Sequence, residues 1–464
     1  MHIWVGVENF AKIESAKICV DNYTVLVGQN NSGKTFLMQL VQGISNKLEY
    51  YVDESIMDKL LVGTHGVFKE YSINSENICI LMDSINEKLA LEKENIVKEI
   101  FGKEISIEKL YIDMSIEDYI SYRFLISDTN EEIDEKDKES YCKELEKIAI
   151  NFISDMWNNK GLICMVGMVN SQEELLKPIS LHGSLNNDEL GIFRNALSSV
   201  IGYNSLFLPA SRTGLLLLYR EFFANKKDEQ VSFTISDGKL IENKKNFANL
   251  TKPVYEFLRF LQTYLKNEDI CKQFKEELIF FEEHLIEGHI SVDKQEGFSY
   301  RSKTEIDKVP MYLASSMINE VAPLVLALTS QNAYNRLIVD EVEASLHPQK
   351  QLELVRFLNR LNNKGMKLIL STHSDTFVSK LNNLYVLSEI VKTKGEGILK
   401  HFNLEKEDLI ATENLFVYEV INQPNGKSIV NEIKGNPKTG YPFDLFASSA
   451  IHIYDEAMKL GEIQ

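Results

Sequence analysis

Three absences narrow the classes of protein to which this sequence can belong. No run of 18 apolar residues occurs, which argues against a transmembrane helix. Gly6, Glu8 and Asn9 interrupt the position where a charged-then-apolar secretory signal would lie. The 5 cysteines are scattered, and no two of them form a C-x-x-C pair. We therefore expect a cytoplasmic protein with reduced thiols, no membrane partner and no zinc site.

Basic residues are outnumbered by acidic ones. The chain carries 50 basic and 68 acidic residues, which gives a net charge of −18. A broad, sequence-independent DNA-binding surface needs many Lys and Arg side chains against phosphates, so this balance argues against one. Local basic clusters occur between Arg212 and Lys227 and at Lys244–Lys245. We interpret them as solvated faces, although DNA binding in a local groove stays open.

Regular repeats and low-complexity linkers are absent as well. The length of 464 residues predicts two to four compact units, and 44% hydrophobic residues suffice for a sizeable core. The chain is therefore expected to be globular and built from several parts.

The segment Gly28–Thr35, with the sequence GQNNSGKT, fits the phosphate-binding pattern G-x-x-x-x-G-K-[ST]. A short apolar strand at 24–27 precedes it and a helix-like run at 35–41 follows, which is the context that the pattern requires. Glycines let the backbone N–H groups face a phosphate, and the N-terminus of the following helix favours negative charge. Lys34 is expected to reach the β- and γ-phosphates, and Thr35 to hold Mg²⁺. The residues predicted to contact ATP here are Gly28, Asn30, Asn31, Ser32, Gly33, Lys34, Thr35 and Phe36.

A second apolar strand, at 337–339, ends in Asp340 and Glu341. A continuous apolar run is typical of a central parallel strand that is covered on both faces. We expect Asp340 to hold Mg²⁺ through water, and Glu341 to activate the water that attacks the γ-phosphate. The alternative is a strand that ends in solvated acids.

A third apolar strand runs from Leu368 into the polar turn Ser371–Ser374. It follows the Asp340 strand by one helix, predicted at 347–363, so His373 should lie beside the phosphates. We interpret His373 as a γ-phosphate sensor, with a surface or packed imidazole as the alternative.

These segments resemble those of one family. Asp340–Pro348 (DEVEASLHP) and Ser371–Asp375 (STHSD) look like the Walker B, D-loop and switch-histidine segments of ABC-type ATPases of the RecF/SMC/OLD-like branch. The segments Glu8–Ile13 and Leu206–Arg212 are similar to the same branch. Within it, the chain is most similar to ATPase subunits of bacterial anti-phage systems of the Septu, PARIS and Gabija types.

The resemblance implies a serine-containing signature loop that closes over the ATP of a second subunit. The best match is the segment from Ala314 to Glu320, in which Ser315 would contact the γ-phosphate. Ser316 and Met317 stand where the family has two glycines, and Val342 replaces a common proline. An N-cap serine that starts a core helix is the alternative role for Ser315. Arg212 is the candidate for a missing Q-loop glutamine near the nucleotide, and a buried structural ion pair is its alternative.

Lys34 and Asp340 are 306 positions apart, so large insertions must separate the halves of the ATPase core. We expect strands at 78–82, within 105–126 and at 162–166, a helix at 136–158, and a hairpin around Gly297. We find no Asp-x-Asp metal pattern near the C-terminus, so we expect no nuclease of its own. Asp455 and Glu456 read as surface residues on a terminal helix that starts near Leu445. The predicted regions are a first part of the head (1–50), a mixed α/β insertion (51–202), a head strand (203–215), a helical arm (216–287), a second part of the head (288–400) and a C-terminal α+β cap (401–464).

The predicted fold is thus α/β, a P-loop NTPase of the ABC ATPase head type with a large mixed insertion, a helical arm and a small C-terminal α+β segment. We expect a homodimer of heads that hydrolyses ATP with Mg²⁺ and, by resemblance, controls a separately encoded nuclease or toxin as its protein effector. Three alternatives stay open: a RecF/SMC-like DNA repair ATPase, a transporter cassette, and an ATP-locked scaffold that hardly hydrolyses.

Overall fold

The computed structural model describes residues 1–65, 68–128, 162–172, 175–184, 188–227, 233–236, 239–242, 250–293, 297–304, 307–442 and 458. The chain divides into two compact units. The first comprises Met1–Gly6, Ile44–Lys93 and Lys109–Tyr203, and the second comprises Val7–Gly43, Glu94–Glu108 and Asn204–Gln464.

The secondary structure mixes strands and helices along the described chain. The strands are β1 (His2–Phe10), β2 (Ile13–Cys19), β3 (Tyr23–Gly28), β4 (Leu61–His65), β5 (Phe68–Asn74), β6 (Lys109–Ser115), β7 (Ile120–Asp128), β8 (Leu162–Asn170), β9 (Leu175–Ser184), β10 (Ser205–Leu208), β11 (Phe233–Ser236), β12 (Lys239–Glu242), β13 (Gly288–Asp293), β14 (Gly297–Ser302), β15 (Val309–Pro310), β16 (Arg336–Val339), β17 (Lys367–Thr372), β18 (Leu415–Asn422) and β19 (Ser428–Ile433). The helices are α1 (Lys34–Ser45), α2 (Met57–Leu60), α3 (Ile78–Phe101), α4 (Glu189–Ile201), α5 (Arg212–Lys227), α6 (Lys252–Thr263), α7 (Glu268–Gln273), α8 (Lys275–Phe280), α9 (Ser316–Thr329), α10 (Pro348–Asn363) and α11 (Asp375–Lys394). Short 3₁₀ turns lie at Leu48–Tyr51, Glu54–Ile56, Met311–Leu313, Glu396–Phe402, Lys406–Asp408 and Thr412–Asn414, and one π-helical turn at Phe281–Leu285.

The second unit is built on a sheet with the strand order β10-β16-β17-β3-β18-β19-β2, with β1 next to β2. The first five strands of this order run parallel, and their register aligns Leu208, Val339 and Leu370 across β10, β16 and β17. Buried apolar residues fill β3, β10 and β16, as expected for parallel strands covered on both faces. The predicted α/β fold of a P-loop NTPase is confirmed. Its consequence is that the carboxyl ends of β3, β16 and β17 lie along one edge.

The strands β18 and β19 are part of this sheet. Residues 401–464 were instead predicted as a C-terminal α+β cap, whereas these two strands belong to the sheet of the head. β18 pairs in parallel with β3 from Leu415↔Tyr23 to Val420↔Gly28, and β19 returns antiparallel to it. Because β3 needs hydrogen-bond partners on both sides, the late strand completes the neighbourhood of the phosphate-loop strand.

A strand predicted at 78–82 is instead the start of the 24-residue helix α3. Ile78, Leu81, Ile85 and Leu89 are all buried, and their spacing of three and four residues is that of one helix face. A five-residue apolar run could not distinguish the two states, whereas the longer period does.

The segment predicted as a helical arm packs on the core of the second unit. Phe257, Phe281 and Leu285 are buried in the same apolar cluster as Leu337 and Leu370 of the sheet. The apolar residues of this segment are therefore part of the core of the second unit. The hairpin of β11 and β12 between α5 and α6 was not predicted.

The first unit contains an antiparallel sheet of order β4-β5-β7-β8-β9, and β6 stands next to β1. Helix α4 packs on the sheet through Phe193, whose ring centroid lies 5.0 Å from that of Phe124 and 5.7 Å from that of Tyr71. The strands predicted within 105–126 and at 162–166 are confirmed as β6, β7 and β8, and the hairpin around Gly297 as β13 and β14. The helices predicted at 136–158 and after Leu445, and Lys244–Lys245, lie outside the described residues. Among the described helices, none has the length and apolar character needed to cross a membrane.

Substitution of Gly28 tests the close approach of β18 to the phosphate-loop strand. Gly28 has φ +148°, and an added Cβ would lie 2.4 Å from the carbonyl oxygen of Val420. We expect Gly28→Ala to lower the free energy of unfolding by about 2–3 kcal/mol, because it combines backbone strain with overpacking. Urea denaturation followed by circular dichroism measures this.

The matched control for Gly28→Ala is Gly426→Ala. Gly426 has φ +82°, but an added Cβ meets nothing within 4 Å. It should cost only the backbone strain, about 1 kcal/mol. Equal losses in the two variants would contradict the close packing of β18 on Gly28.

Candidate nucleotide-binding site

The loop between β3 and α1 is folded back around the side chain of Lys34. The Lys34 Nζ donates to the carbonyl oxygens of Gly28 at 3.0 Å and Gln29 at 2.8 Å, and to Ser32 Oγ at 3.2 Å. Asn31 has φ +57° and Gly33 has φ +95°. These left-handed conformations turn successive N–H groups toward one side, as an anion-binding concavity requires. Asn30, Asn31 and Thr35 are exposed, whereas Ser32 and Lys34 are buried.

A second element, the turn between β1 and β2, supports this loop. Lys12 Nζ donates to the carbonyl oxygen of Asn31 at 2.5 Å. An added Cβ on Gly33 would lie 3.1 Å from Ile13 Cγ1, so the two backbones pass close to each other. Sequence reasoning assigned no role to Lys12. The family-like segment Glu8–Ile13 was the only signal of this contact.

The carboxylate of Asp340, directly after β16, is held by hydroxyls from two other elements. Thr35 Oγ1 at the start of α1 donates to Asp340 Oδ2 at 2.7 Å. Ser371 Oγ at the end of β17 donates to Asp340 Oδ1 at 2.5 Å and accepts from the Glu341 N–H at 2.8 Å. Sequence reasoning assigned Ser371 to a motif but predicted no contact for it. Its contacts depend on the pairing of β16 with β17.

Glu341 and His373 face each other across the same edge. His373 Nε2 lies 4.0 Å from Glu341 Oε1, and the Glu341 side chain is 47% exposed. The N–H of His373 donates to Glu343 Oε1 at 2.7 Å, so Glu343 fixes the turn that carries the histidine. Sequence reasoning missed this role of Glu343. The structure thus brings Lys34, Asp340, Glu341 and His373 together, as predicted from their strand ends.

Burial and neighbouring charges shift the pKa values of Lys34 and His373. Burial lowers the pKa of Lys34 to about 8, against the opposing effect of the carboxylates of Asp340, Glu341 and Glu343. Burial also lowers the pKa of His373, and the nearby Lys34 cation lowers it further. The imidazole is therefore biased toward its neutral form, in which one nitrogen donates and the other accepts.

Arg212 lies behind the site, and its predicted contact with the nucleotide is not what the structure shows. The side chain is 1% exposed and forms an ion pair with Glu320, with Nε 3.0 Å from Oε1. Its hydrogen bonds go to backbone carbonyls: Nε donates to that of Glu320 at 3.0 Å, Nη1 to that of Asp340 at 2.7 Å and Nη2 to that of Glu341 at 3.1 Å. The alternative of a buried structural ion pair describes Arg212 correctly. A position so deeply buried binds protein oxygens and cannot present its charge to a ligand.

Ser315 occupies the N-cap of α9, as its alternative role predicted. Its Oγ accepts from the N–H of Ile318 at 3.3 Å. Ser315 and Ser316 are exposed, Met317 is half-buried, and the preceding Tyr312 and Leu313 are 70% and 65% exposed. The first turn of α9 therefore presents a capping hydroxyl together with an apolar surface.

Phe36, predicted to contact the nucleotide, takes part in an aromatic cluster. Its ring stacks on Phe101 with centroids 5.3 Å apart and an interplanar angle of 18°, and Phe10 meets it edge-on. The ring still has 42% of its surface exposed. Phe36 is therefore partly open to solvent while its ring packs on two other aromatic rings.

The residues suit a divalent cation of the hard, oxygen-binding kind. Thr35 and Asp340 bring a hydroxyl and a carboxylate oxygen to 2.7 Å from each other, beside the phosphate loop. Mg²⁺ prefers oxygen ligands and commonly takes one or two protein groups together with substrate phosphates. The donor set of this site therefore fits Mg²⁺.

Comparison with known proteins agrees with this geometry. The profile of the family described as AAA ATPase domain matches residues 3–378, well over half of the chain, so the chain belongs to that family. No curated protein matches the chain.

Solved structures of SMC heads are similar to this chain at a low level. The SMC head domain from Thermotoga maritima is 12% identical, with a TM-score of 0.34, over 94% of this chain and 100% of that chain. An SMC head bound to the C-winged helix domain of ScpA is 10% identical, with a TM-score of 0.35, over 93% and 97% of the two chains.

The lowered pKa of Lys34 predicts a pH dependence of stability. The unfolded chain holds this proton up to about pH 10.5, whereas the folded chain releases it near pH 8. The unfolded state binds more protons in between, so the free energy of unfolding rises with pH across this window and falls as pH drops through it. We expect Lys34→Met to remove about 3 kcal/mol of this rise, measured by urea unfolding from pH 7.5 to 10.5. Parallel pH profiles for the two proteins would show that the lysine is not desolvated.

Proposed function

We propose that this member of the AAA ATPase domain family binds ATP with Mg²⁺ and hydrolyses it at the edge formed by β3, β16 and β17. One observation carries the proposal. Thr35, at the end of the phosphate loop, donates a hydrogen bond of 2.7 Å to Asp340, although the two residues are 305 positions apart. Asp340 directly precedes Glu341 in the sequence. A cation ligand, a phosphate cradle and a carboxylate base in this order are the parts of a phosphoryl-transfer site.

The phosphate groups would bind to the loop of residues 29–33 and to the start of α1. Backbone N–H groups of the loop and the dipole of this 12-residue helix favour negative charge there. Lys34 Nζ already donates to oxygen atoms of the loop, so it can exchange these partners for phosphate oxygens without leaving its place. A phosphate group would also restore the charge of the amine, because a nearby anion raises the pKa of a lysine.

Thr35 and Asp340 would hold Mg²⁺, the first through its hydroxyl and the second through water. When bound, the cation supplies neutralisation of the negative charge on the phosphate oxygens. Ser371 contributes by holding the second Asp340 oxygen, which keeps the other oxygen directed toward Thr35.

Glu341 would act as the general base. Its carboxylate would take the proton of an attacking water, whose oxygen forms a bond to the γ-phosphorus while the bond from that phosphorus to the β–γ bridging oxygen breaks. The bridging oxygen leaves with the electron pair on ADP, and phosphate is the second product. His373, 4.0 Å from the Glu341 carboxylate, would orient the γ-phosphate from its neutral form.

The first turn of α9 is the best candidate for contact with a second head. Ser315 is exposed at a helix N-terminus, and Tyr312 and Leu313 supply adjacent apolar surface. In a head-to-head homodimer, Ser315 would reach the nucleotide of the other subunit. Met317 in place of a glycine hinders close approach of the backbone. This residue favours slow turnover and keeps an ATP-locked scaffold as the second candidate function.

The biological role that we propose is a nucleotide-driven switch in anti-phage defence that controls a separately encoded nuclease or toxin. The support is a resemblance: Asp340–Pro348, Ser371–Asp375 and Leu206–Arg212 are similar to the RecF/SMC/OLD-like branch of ABC-type ATPases, and within that branch the chain is most similar to ATPase subunits of such systems. A RecF/SMC-like role in DNA repair is the competing proposal, and the net charge of −18 counts against it.

The catalytic role of Glu341 can be tested by Glu341→Gln. We expect turnover to fall by about 10²- to 10⁴-fold, because the amide cannot accept the proton, while ATP affinity is retained. Phosphate release measures turnover, and equilibrium binding of a fluorescent ATP analogue measures affinity. The control is Glu396→Gln, which alters an exposed ion pair with Lys406 and should turn over as the unaltered chain does. Undiminished phosphate release by Glu341→Gln would rule out this base.

The effector proposal can be tested with the same variant, which should hold the ATP-bound state. We expect a nuclease-like or toxin-like protein to co-purify with Glu341→Gln from its native cell, in amounts that change when Mg-ATP is added or removed. Mass spectrometry and nucleic-acid staining of the purified complex are the measurements. Retention of DNA without a protein partner would instead favour the repair ATPase.

A further inference from the structure

Arg212 donates hydrogen bonds to the backbone of Asp340 and Glu341, the two acids that follow β16. It begins α5, directly after β10 and its turn. Its Nη1 donates to the carbonyl oxygen of Asp340 at 2.7 Å and its Nη2 to that of Glu341 at 3.1 Å. The guanidinium is a planar fork with donors in fixed directions, so the two carbonyls are held in one orientation.

This support matters because the backbone of Glu341 is in an unusual conformation. Its φ is +46°, in the left-handed region that costs a residue with a Cβ about 1 kcal/mol or more. Its N–H is bound to Ser371 Oγ at 2.8 Å, and its carbonyl is bound to Arg212. The carboxylate itself is nearly half exposed. The fixed backbone therefore decides where the side chain stands.

The other side of Arg212 connects to helix α9. Glu320 of α9 is 2% exposed and pairs with Arg212 Nε. Its second oxygen, Oε2, accepts from the N–H of Thr213 at 3.1 Å and from Thr213 Oγ1 at 2.6 Å. Thr213 Oγ1 also lies 3.3 Å from the carbonyl oxygen of Ser316, in the first turn of α9. An unbroken series of contacts therefore runs from Ser316 to the backbone of Glu341.

We propose that Arg212 and Glu320 are positioning residues for hydrolysis, which fix Glu341 and couple it to the first turn of α9. The proposal rests on the proposed ATPase function. A displacement of the Ser315–Ser316 turn would reach Glu341 through Thr213, Glu320 and Arg212, so the base would be aligned only when that turn is correctly seated. The coupling runs through buried charged groups, which tolerate little displacement because an unpaired buried charge is costly.

The test is Arg212→Lys in the full chain. Lysine keeps the positive charge but cannot hold two carbonyls with a planar fork. We expect kcat for ATP hydrolysis to fall by about 10- to 100-fold, as a misplaced catalytic group does, with the Kd for ATP changed by less than about threefold. In the Glu341→Gln background the same change should cause no further loss, because both changes act on one group.

The control is Arg360→Lys. Arg360 is also buried and pairs with Asp408 at 2.6 Å, but its partners lie on other elements than those of the site. It should lower the melting temperature as Arg212→Lys does and leave kcat unchanged. If Arg212→Lys does not fold, Thr213→Val removes the hydroxyl that contacts Glu320 and Ser316, and it should lower kcat by about threefold with the Kd retained.

Three results would overturn the proposal. An unchanged kcat in Arg212→Lys, or in Thr213→Val where Arg212→Lys does not fold, would show that the contacts serve stability alone. A large rise in the Kd for ATP would show that Arg212 binds the nucleotide. Absence of turnover in the unaltered chain would overturn the ATPase function together with this proposal, whereas an unchanged kcat in the variant overturns only the positioning role.

Discussion

The hydrogen-bonded Asp340 carboxylate is the contact on which the rest of the site depends. It joins α1, β16 and β17, which come from distant parts of the sequence, through Thr35 and Ser371. Asp340 is 3% exposed, and burying an ionised carboxylate is costly unless each oxygen has a partner. The parallel register of the sheet provides both partners at once, because the carboxyl ends of neighbouring strands meet at one edge. The position of Glu341 follows from the same turn.

Buried arginines hold strand β16 at both of its ends. At the start, Arg336 donates from Nε to Ser205 Oγ at 2.8 Å and from Nη1 to the carbonyl oxygen of Val20 at 2.9 Å. At the end, Arg212 binds the carbonyls that follow the strand. Guanidinium groups suit this task because they are always charged and offer several donors in one plane. A short four-residue strand is thus fixed at both ends, as the proposed catalytic role of the turn after it requires.

Sequence patterns identified the parts of the fold that depend on local chemistry. The loop Gly28–Thr35 and the strand before Asp340 each carry a fixed motif, and parallel-strand logic then placed their ends together. Contacts between distant segments were not accessible in this way. The packing of Lys12 on the phosphate loop and the placement of β18 beside β3 depend on pairings that no local pattern encodes. The prediction of a strand at 78–82, where α3 begins, was wrong because a short apolar run suits a strand and a helix equally. Arg212 was predicted to lie near the nucleotide, but its side chain is buried and contacts protein atoms.

The late pairing of β18 with β3 has a consequence for biosynthesis. The neighbour of the phosphate-loop strand, Leu415–Asn422, begins 392 positions after Tyr23 (415 − 23), so it leaves the ribosome much later than β3 does. Contacts between such distant segments slow folding, because the entropy of closing a long loop must be lost before the strands can pair. One edge of β3 therefore lacks its native partner until Leu415–Asn422 has been made. An unpaired strand edge can pair with another chain, so the nascent protein is exposed to aggregation at β3 during this interval.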